Sequence, residues 1–192
     1  MPLILASASP RRSELLGNAG IAFTVEPAHV PEQPLPNEPP LQYAQRLARD
    51  KARAIFANHS DDVVLGADTV VVAGEHLMEK PGDDEDAARM LRLLSGRTHQ
   101  VTTGVCLVAR GFEQTEAEIT GVRFSPLTEN EIASYVSTRE PMDKAGAYAI
   151  QGVASRWVER IDGCYFNVVG LPVPRVYRML RELEGATGVR LL

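Results

Sequence analysis

Two charged residues in this sequence fall inside apolar patterns, where a charge needs a partner or a ligand. Lys51 lies in the apolar arc of a predicted helix, one turn from Leu47 and Ile55. Asp68 interrupts the run VVLGADTVVV at residues 63–72, which predicts a buried strand. Because an unpaired charge is costly to bury, both patterns favour binding of an ion, an opposite charge or a substrate. The structural alternatives are a Lys51 ammonium that reaches solvent at the edge of the helix and an Asp68 that caps a turn.

A third pattern places paired positive charge at a helix start, in LASASPRRSELLG at residues 5–17. Ser9 is a natural N-cap, and Pro10 suits the first helical turn. The free N–H groups of such a helix attract anions, so Arg11 and Arg12 are unfavourable there unless an anion binds. The segment therefore predicts a phosphate-binding site that includes Ser9 and Arg12. The alternative is a pair of solvated arginines, which costs only tenths of a kcal/mol.

Lysine is rare in this chain: of 20 basic residues, only Lys51, Lys80 and Lys144 are lysines. Lysine is a compact charge that suits a crowded phosphate site better than arginine does. Several basic sites around an isolated carboxylate are typical of a polyphosphate site with a divalent metal. Arg12, Lys51, Lys80 and Asp68 are therefore the first candidates for such a site.

The composition excludes some classes of function. A formal net charge of −5 argues against general binding to nucleic acid or to a membrane surface. The apolar run at the start of the chain is too short for a signal peptide, and no run approaches the roughly 20 residues of a membrane span. Two distant cysteines without a CxxC motif indicate a cytoplasmic protein. The histidines lack metal-ligand spacing and are expected mostly at the surface; they are His29, His59, His76 and His99.

Hydrophobic periodicity predicts an α/β protein with a mixed sheet, as one domain over residues 1–192. The predicted strands cover residues 2–6, 62–72, 97–109, 116–124 and 156–161. The predicted helices cover residues 10–18, 41–57, 83–94, 128–137 and 172–183. Six prolines between residues 26 and 40 predict an extended loop, in which Glu32 is by composition a solvated acid.

Six motifs in order resemble the Maf family of nucleoside triphosphate pyrophosphatases. They are SASPRR, GADTVV, EKP, SGRTHQVTTGV, DKAGAYAIQG and VVGLP, and the resemblance runs from residue 3 to about residue 182. It implies an α/β fold akin to that of inosine triphosphate pyrophosphatase, with a mixed central sheet flanked by helices and two lobes around a deep cleft. It also favours a homodimer.

The resemblance implies hydrolysis of a nucleoside triphosphate to the monophosphate and pyrophosphate, with Mg²⁺ or Mn²⁺. The site residues of the family fall on Arg12, Glu32, Lys51, Asp68, Lys80 and Gln151. In this interpretation Glu32 and Asp68 hold the metal, and Asp68 accepts the proton of the attacking water. Ser9, Arg12, Lys51 and Lys80 bind the phosphates.

Three positions predict the substrate branch. One branch of the family prefers dTTP and UTP. Another prefers 7-methyl-GTP and carries tryptophan, glutamine and glutamate where this chain has Arg11, Thr69 and Gln151. These three residues favour the dTTP/UTP branch and are the candidates for specificity. The alternatives are a 7-methyl-GTP pyrophosphatase and a non-catalytic nucleotide-binding regulator of septum formation.

Overall fold

Seven β-strands form one mixed sheet in the computed structural model, which describes residues 2–192. The strands are β1 (Leu3–Ala6), β2 (Thr24–Val25), β3 (Val63–Ala73), β4 (His76–Met78), β5 (Thr98–Ala109), β6 (Phe112–Phe124) and β7 (Val158–Asp162). Their order in the sheet is β2-β1-β3-β5-β6-β7, and β4 pairs with β3. The predicted α/β class with a mixed sheet is confirmed.

Six α-helices accompany these strands within residues 2–192. They are α1 (Pro10–Asn18), α2 (Pro40–Phe56), α3 (Asp84–Leu94), α4 (Glu129–Ser137), α5 (Tyr165–Val169) and α6 (Val173–Thr187). Local signals set their ends: the Asp83 carboxylate accepts a hydrogen bond from the Asp86 N–H, and Thr128 and Glu131 form the capping box that the sequence predicts. No helix in this part of the chain is both long and apolar enough to cross a bilayer.

Parallel pairing of β1 with β3 brings the start of the chain close to Asp68. Ala6 pairs with Gly66, and β2 pairs in parallel with β1 on its other side. Because the carboxyl ends of parallel strands meet at one edge of a sheet, the segment after Ala6 runs beside Ala67 and Asp68. Antiparallel pairs, among them β3 with β4 and β6 with β7, make the sheet mixed.

Helix α2 packs directly on the backbone of the sheet. A Cβ atom on Gly66 of β3 would lie 2.1 Å from the Ala48 carbonyl oxygen, and one on Gly104 of β5 would lie 2.2 Å from that of Ala44. Only glycine permits this approach, as the sequence predicts for Gly66. The buried face of the helix is Tyr43, Ala44, Leu47, Ala48, Lys51, Ala52 and Ile55. Lys51 is therefore carried into the interior with its apolar neighbours.

The chain forms two compact units. The first comprises the chain up to Asp68, Thr103–Glu118 and Gly170–Leu192; the second comprises Thr69–Thr102 and Ile119–Val169. In the first unit, buried side chains of β1, α2, β3 and β5 share one apolar cluster, which includes Ile4, Ala52, Val64 and Val108. The cleft between two lobes and the single domain over residues 1–192 stay predictions.

The second unit has an aromatic core. Phe124 contacts His99 and Tyr148 edge-on, at centroid distances of 5.0 and 4.8 Å, and Tyr135 contacts Trp157 edge-on at 5.2 Å. His99 Nε2 lies 2.8 Å from the Tyr148 hydroxyl. His99 is 2% exposed, so the expectation of surface histidines is wrong at this position. Inside and outside alternate at this end of β5, and His99 falls on the inward side.

Short elements are the main departures from the predicted ones. The strands β2 and β4, the helix α5 and three 3₁₀ helices at Glu140–Asp143, Ala145–Ala147 and Val153–Trp157 have at most five residues each. Such lengths carry no usable periodicity. The connection between β5 and β6 is also shorter than predicted, because Gly111 adopts a φ of 74° and closes a two-residue turn with Arg110.

Candidate active site

The Lys51 ammonium lies between two carboxylates in the first unit. Lys51 Nζ is 2.6 Å from Glu32 Oε1 and 2.6 Å from Asp68 Oδ1. The Lys51 and Asp68 side chains are 9% and 11% exposed, whereas the Glu32 side chain is 45% exposed. The structure therefore brings together three predicted site residues, two of them buried and the third, Glu32, at the surface.

Their neighbouring elements explain this arrangement. Lys51 is buried on α2, and Asp68 lies in the middle of the eleven-residue strand β3. The ammonium does not reach solvent at the helix edge, and Asp68 does not cap a turn, so both structural alternatives are wrong. The close contact of α2 with Gly66 sets the depth at which Lys51 meets Asp68.

Burial is the dominant influence on Asp68. It raises the pKa of this carboxyl, while the charges of Lys51 and Arg12 and the hydrogen bond from Lys51 oppose the shift. The negative charge of Glu32 raises the pKa further. A carboxylate with a raised pKa is a better proton acceptor than a surface aspartate. Asp68 therefore has the electrostatic character of a general base.

Arg12 turns inward and binds the chain at three places: directly after β1, within β3, and directly after α5. Its Nη1 donates to the Ala67 carbonyl oxygen at 2.9 Å and to Ser7 Oγ at 3.0 Å, and its Nε donates to the Gly170 carbonyl oxygen at 2.9 Å. Burial lowers the pKa of this guanidinium, and the nearby Asp68 opposes that shift. The alternative of a freely solvated Arg12 is wrong, and its charge lies next to the peptide that precedes Asp68.

Ser9 occupies the N-cap position of α1, as the sequence predicts. Its side chain makes no capping hydrogen bond, and its N–H donates to Ser7 Oγ at 3.2 Å. The first turn of α1 contains no acidic residue, so its positive end keeps its attraction for an anion. Arg11, in the same turn, is half-buried.

The other predicted site residues belong to the second unit. Lys80 is exposed between β4 and α3 and precedes the buried Pro81, while Thr69 is half-buried on β3. Gln151 is exposed, two residues before the 3₁₀ helix that begins at Val153. Their roles stay predictions.

Lys144, the third lysine, is held by its own segment in the second unit. Its Nζ lies 2.6 Å from Asp143 Oδ1 and donates to the Glu140 carbonyl oxygen at 2.7 Å. The Lys144 side chain is 13% exposed. These contacts fix the segment that leads into Tyr148 and Gln151.

The carboxylates of Glu32 and Asp68 are the candidate ligands for a metal ion. Residues 2–192 contain no group of three or more histidine, cysteine or acidic side chains arranged for a metal ion. Glu32 and Asp68 nevertheless converge on one point, the Lys51 ammonium. Two carboxylates with substrate oxygens and water are the ligands that Mg²⁺ usually takes.

Sequence reasoning missed one contact set near this site. Arg46, on the polar face of α2, makes a bidentate ion pair with Glu38 and also binds the Gln33 carbonyl oxygen. No spacing rule connects a helix arginine to an acid in a preceding proline-rich loop. The sequence offers only the prolines of this loop and the acid directly before Pro39 as signals.

The fold and the site together define a mixed-sheet α/β protein with a buried aspartate, Asp68, that is paired with the ammonium of Lys51. The family model described as "Maf-like protein" matches residues 2–183, and the chain belongs to this family. The predicted resemblance is confirmed.

Curated relatives cover nearly the whole chain. A dTTP/UTP pyrophosphatase of Koribacter versatilis is 64% identical over 182 residues, which are 95% of this chain and 94% of the relative. The protein of the same name from Geobacter sulfurreducens is 52% identical over 94% of this chain and 96% of its own. That of Aquifex aeolicus is 45% identical over 98% of both chains.

Proposed function

We propose that this protein is a nucleoside triphosphate pyrophosphatase that hydrolyses dTTP and UTP to the monophosphate and pyrophosphate. The observation that carries the proposal is Asp68, a buried carboxylate with a raised pKa held at 2.6 Å by Lys51. A protein that only bound nucleotide would have no need of this costly group. The names of the relatives support the same activity and substrates.

The reaction needs one proton acceptor and one nucleophile. Asp68 accepts a proton from a water molecule, and the water oxygen forms a bond to the α-phosphorus. The bond from that phosphorus to the bridging oxygen of the β-phosphate breaks, and pyrophosphate leaves with the electron pair. Asp68 then releases the proton to the pyrophosphate or to solvent, so the water's hydroxyl oxygen ends in the monophosphate and the carboxylate is regenerated.

Positive charge stabilises the phosphates in this mechanism. Lys51, Arg12 and Lys80 offset the negative charge that accumulates on the phosphoryl oxygens, and the N–H groups at the start of α1 add donors near Ser9. Arg12 also keeps the Ala67 carbonyl in place, which orients the peptide that leads to Asp68.

Glu32 and Asp68 would hold a divalent metal, Mg²⁺ or Mn²⁺. Both carboxylates contact the same ammonium and therefore lie close together, and hard carboxylate oxygens suit both ions. When bound, such an ion supplies charge neutralisation on the triphosphate. Lys51 holds both carboxylates in that convergent arrangement.

Arg11, Thr69 and Gln151 are proposed to set specificity. A pyrimidine base presents carbonyl and imide groups, which polar side chains recognise by hydrogen bonds. The same three positions distinguish the dTTP/UTP branch from the 7-methyl-GTP branch in the resemblance. We also infer a cytoplasmic homodimer, which the two free cysteines and the resemblance support.

The experiment is pyrophosphate release from a panel of nucleotides with Mg²⁺ or Mn²⁺: dTTP, UTP, CTP, dCTP, GTP, 7-methyl-GTP, ATP and ITP. Wild type is compared with Asp68→Asn and with Asp61→Asn, a matched control at an aspartate whose side chain is 82% exposed. We expect turnover of dTTP and UTP, unchanged in Asp61→Asn. We expect Asp68→Asn to lose about 10²- to 10⁴-fold in kcat, the range for a lost general base.

The possible results separate the alternatives. Turnover of 7-methyl-GTP in place of dTTP and UTP would assign the chain to the other branch and overturn the roles of Arg11, Thr69 and Gln151. Nucleotide binding without any turnover would identify a regulator. Full activity in Asp68→Asn would exclude Asp68 as the proton acceptor.

A further inference from the structure

We propose that Arg46 is a positioning residue for Glu32. It fastens the segment of residues 26–39, here called the Glu32 loop, to helix α2 and so holds the Glu32 carboxylate against Lys51. The inference rests on the proposed function for its kinetic consequence. Its geometric basis is independent of that function.

Arg46 binds the Glu32 loop at two places. Its Nε and Nη2 donate to Glu38 Oε1 and Oε2 at 2.6 and 2.7 Å, a bidentate pair. The same Nη2 donates to the Gln33 carbonyl oxygen at 2.9 Å. Gln33 is the residue directly after Glu32, so the Arg46 guanidinium binds the backbone one residue away from the Glu32 carboxylate's own Cα. Bidentate guanidinium contacts fix orientation as well as distance.

The acid that Arg46 binds is itself built into the loop. Glu38 Oε2 accepts a hydrogen bond from the Leu35 N–H at 3.0 Å, and the Glu38 N–H donates to the Leu35 carbonyl oxygen at 3.1 Å. The Glu38 side chain is only 8% exposed, in contrast to the 45% of Glu32. Residues 35–38 therefore form a closed turn with an inward carboxylate, which Arg46 holds.

This attachment matters for Glu32 because the loop has no helix or strand from residue 26 to residue 39. Pro31 and Pro34 flank Glu32 and Gln33 and restrict their backbone, so the segment moves as a stiff unit. Arg46 and Lys51 hold this unit at two points of α2, five residues apart. Loss of the Arg46 contact removes one of these two attachments to α2, and the remaining one, the Lys51–Glu32 pair, involves a carboxylate that is 45% exposed.

Helix α2 provides a matched control. Arg53 Nε and Nη2 bind the two carboxylate oxygens of Glu113, each at 2.8 Å, on β6. This is the same bidentate pair type on the same helix, and it makes no contact with the Glu32 loop. Arg53→Gln should therefore reproduce the general effect of removing a helix arginine without changing Glu32.

The test is a double-mutant cycle on kcat for dTTP hydrolysis, with Arg46→Gln, Glu32→Gln and the double variant. We expect Arg46→Gln to lower kcat by about tenfold, and by less than about twofold when Glu32 is already glutamine. Arg53→Gln should retain wild-type kcat. An equal loss from Arg46→Gln in both backgrounds would overturn the proposal, because a merely structural role does not depend on Glu32.

Amide hydrogen exchange provides a readout that does not need turnover. Residues 32–38 should exchange faster in Arg46→Gln than in wild type, while Arg53→Gln should leave their rate unchanged. Unchanged exchange in Arg46→Gln would overturn the proposal. A wild-type protein that hydrolyses no nucleotide would refute the proposed function, and the exchange rates would still decide whether Arg46 holds the loop.

Discussion

At the scale of single residues, Lys51 and Asp68 form a buried ion pair whose proposed role is in catalysis and whose net contribution to stability is small. Desolvation of both charges offsets most of their attraction, so an ion pair of this kind contributes little net stability while it is intact. Breaking it is expensive, because the remaining charge has lost its partner. The raised pKa of Asp68 has the same cause, because the desolvation of its carboxylate outweighs the favourable charges of Lys51 and Arg12.

Lys51→Met tests this interpretation through stability. We expect a loss of about 3 kcal/mol in the free energy of unfolding at pH 8, because the substitution removes the ammonium that the buried Asp68 carboxylate contacts. A carboxyl whose folded pKa is raised stabilises the fold at low pH and loses that contribution as the pH rises through the folded pKa. The loss should therefore shrink as the pH is lowered. Urea unfolding at several pH values measures it.

The double variant Lys51→Met/Asp68→Asn is the control for this prediction. Asparagine removes the buried charge, so most of the lost stability should return and the part of the pH dependence that comes from Asp68 should disappear. An equal loss at pH 8 in the single and double variants would show that Lys51 contributes through packing alone.

At the scale of elements, the contact between α2 and the sheet determines where Lys51 can reach. The glycines at both contact points let the helix backbone rest directly on β3 and β5. This closeness, together with the apolar stripe of α2, places a lysine of the helix opposite an aspartate of the strand. The site therefore depends on two residues that have no side chain and take no part in chemistry.

Gly66→Ala and Gly104→Ala should each displace α2. The new methyl groups would stand 2.1 and 2.2 Å from helix carbonyl oxygens, and nothing flexible can yield there. We expect a loss of about 2 kcal/mol or more in unfolding free energy, together with lower kcat, because Lys51 moves with the helix. Circular dichroism during urea unfolding measures the first effect and pyrophosphate release the second.

Gly17→Ala is the matched control on α1. Its added methyl group meets nothing within 4 Å, and alanine is the better helix former by about 1 kcal/mol. This variant should be as stable as wild type or more so, with unchanged turnover. If Gly66→Ala behaved like Gly17→Ala, the packing of α2 on β3 would not set the site.

At the scale of the whole molecule, the free energy of unfolding depends on pH through buried titratable groups, and these include groups other than the proposed catalytic residues. His99, in the aromatic core of the second unit, is the clearest case. Burial lowers the pKa of its imidazole to about 4, so it is neutral in the folded protein at neutral pH. Its Nε2 contact with Tyr148 holds the start of β5 against the segment that carries Gln151.

The resulting prediction is a loss of stability on mild acidification. Between pH 6.5 and 4 the unfolded chain binds a proton at His99 that the folded chain does not, so stability falls as the pH falls. The shift corresponds to about 3 kcal/mol across this window. His99→Phe should remove this part of the pH dependence in urea unfolding curves.

Tyr148→Phe identifies the cause of that dependence. It removes the hydroxyl partner but leaves His99 buried, so the pH dependence should persist if desolvation is responsible. A variant that loses the dependence would instead point to the hydrogen bond.

Particular residues show how far sequence reasoning reaches here. The capping box at Thr128 was predictable, and so were the charges of Lys51 and Asp68 inside apolar patterns, because each signal lies within one helix or one strand. The inward turn of Arg12 and the burial of His99 were not. Each depends on partners far along the chain, such as Gly170 for Arg12 and Tyr148 for His99.

The sequence by itself determined the α/β class, the longer helices and strands, the family and the two charges that needed partners, because periodicity, capping and motif order are local properties. Only the tertiary structure decided which partners those charges have. The ammonium of Lys51 meets Glu32 and Asp68 because α2 lies against Gly66, and Arg46 holds the Glu32 loop because Glu38 turns inward. Such contacts join residues that no periodic pattern connects, and their strength comes from the burial that packing creates.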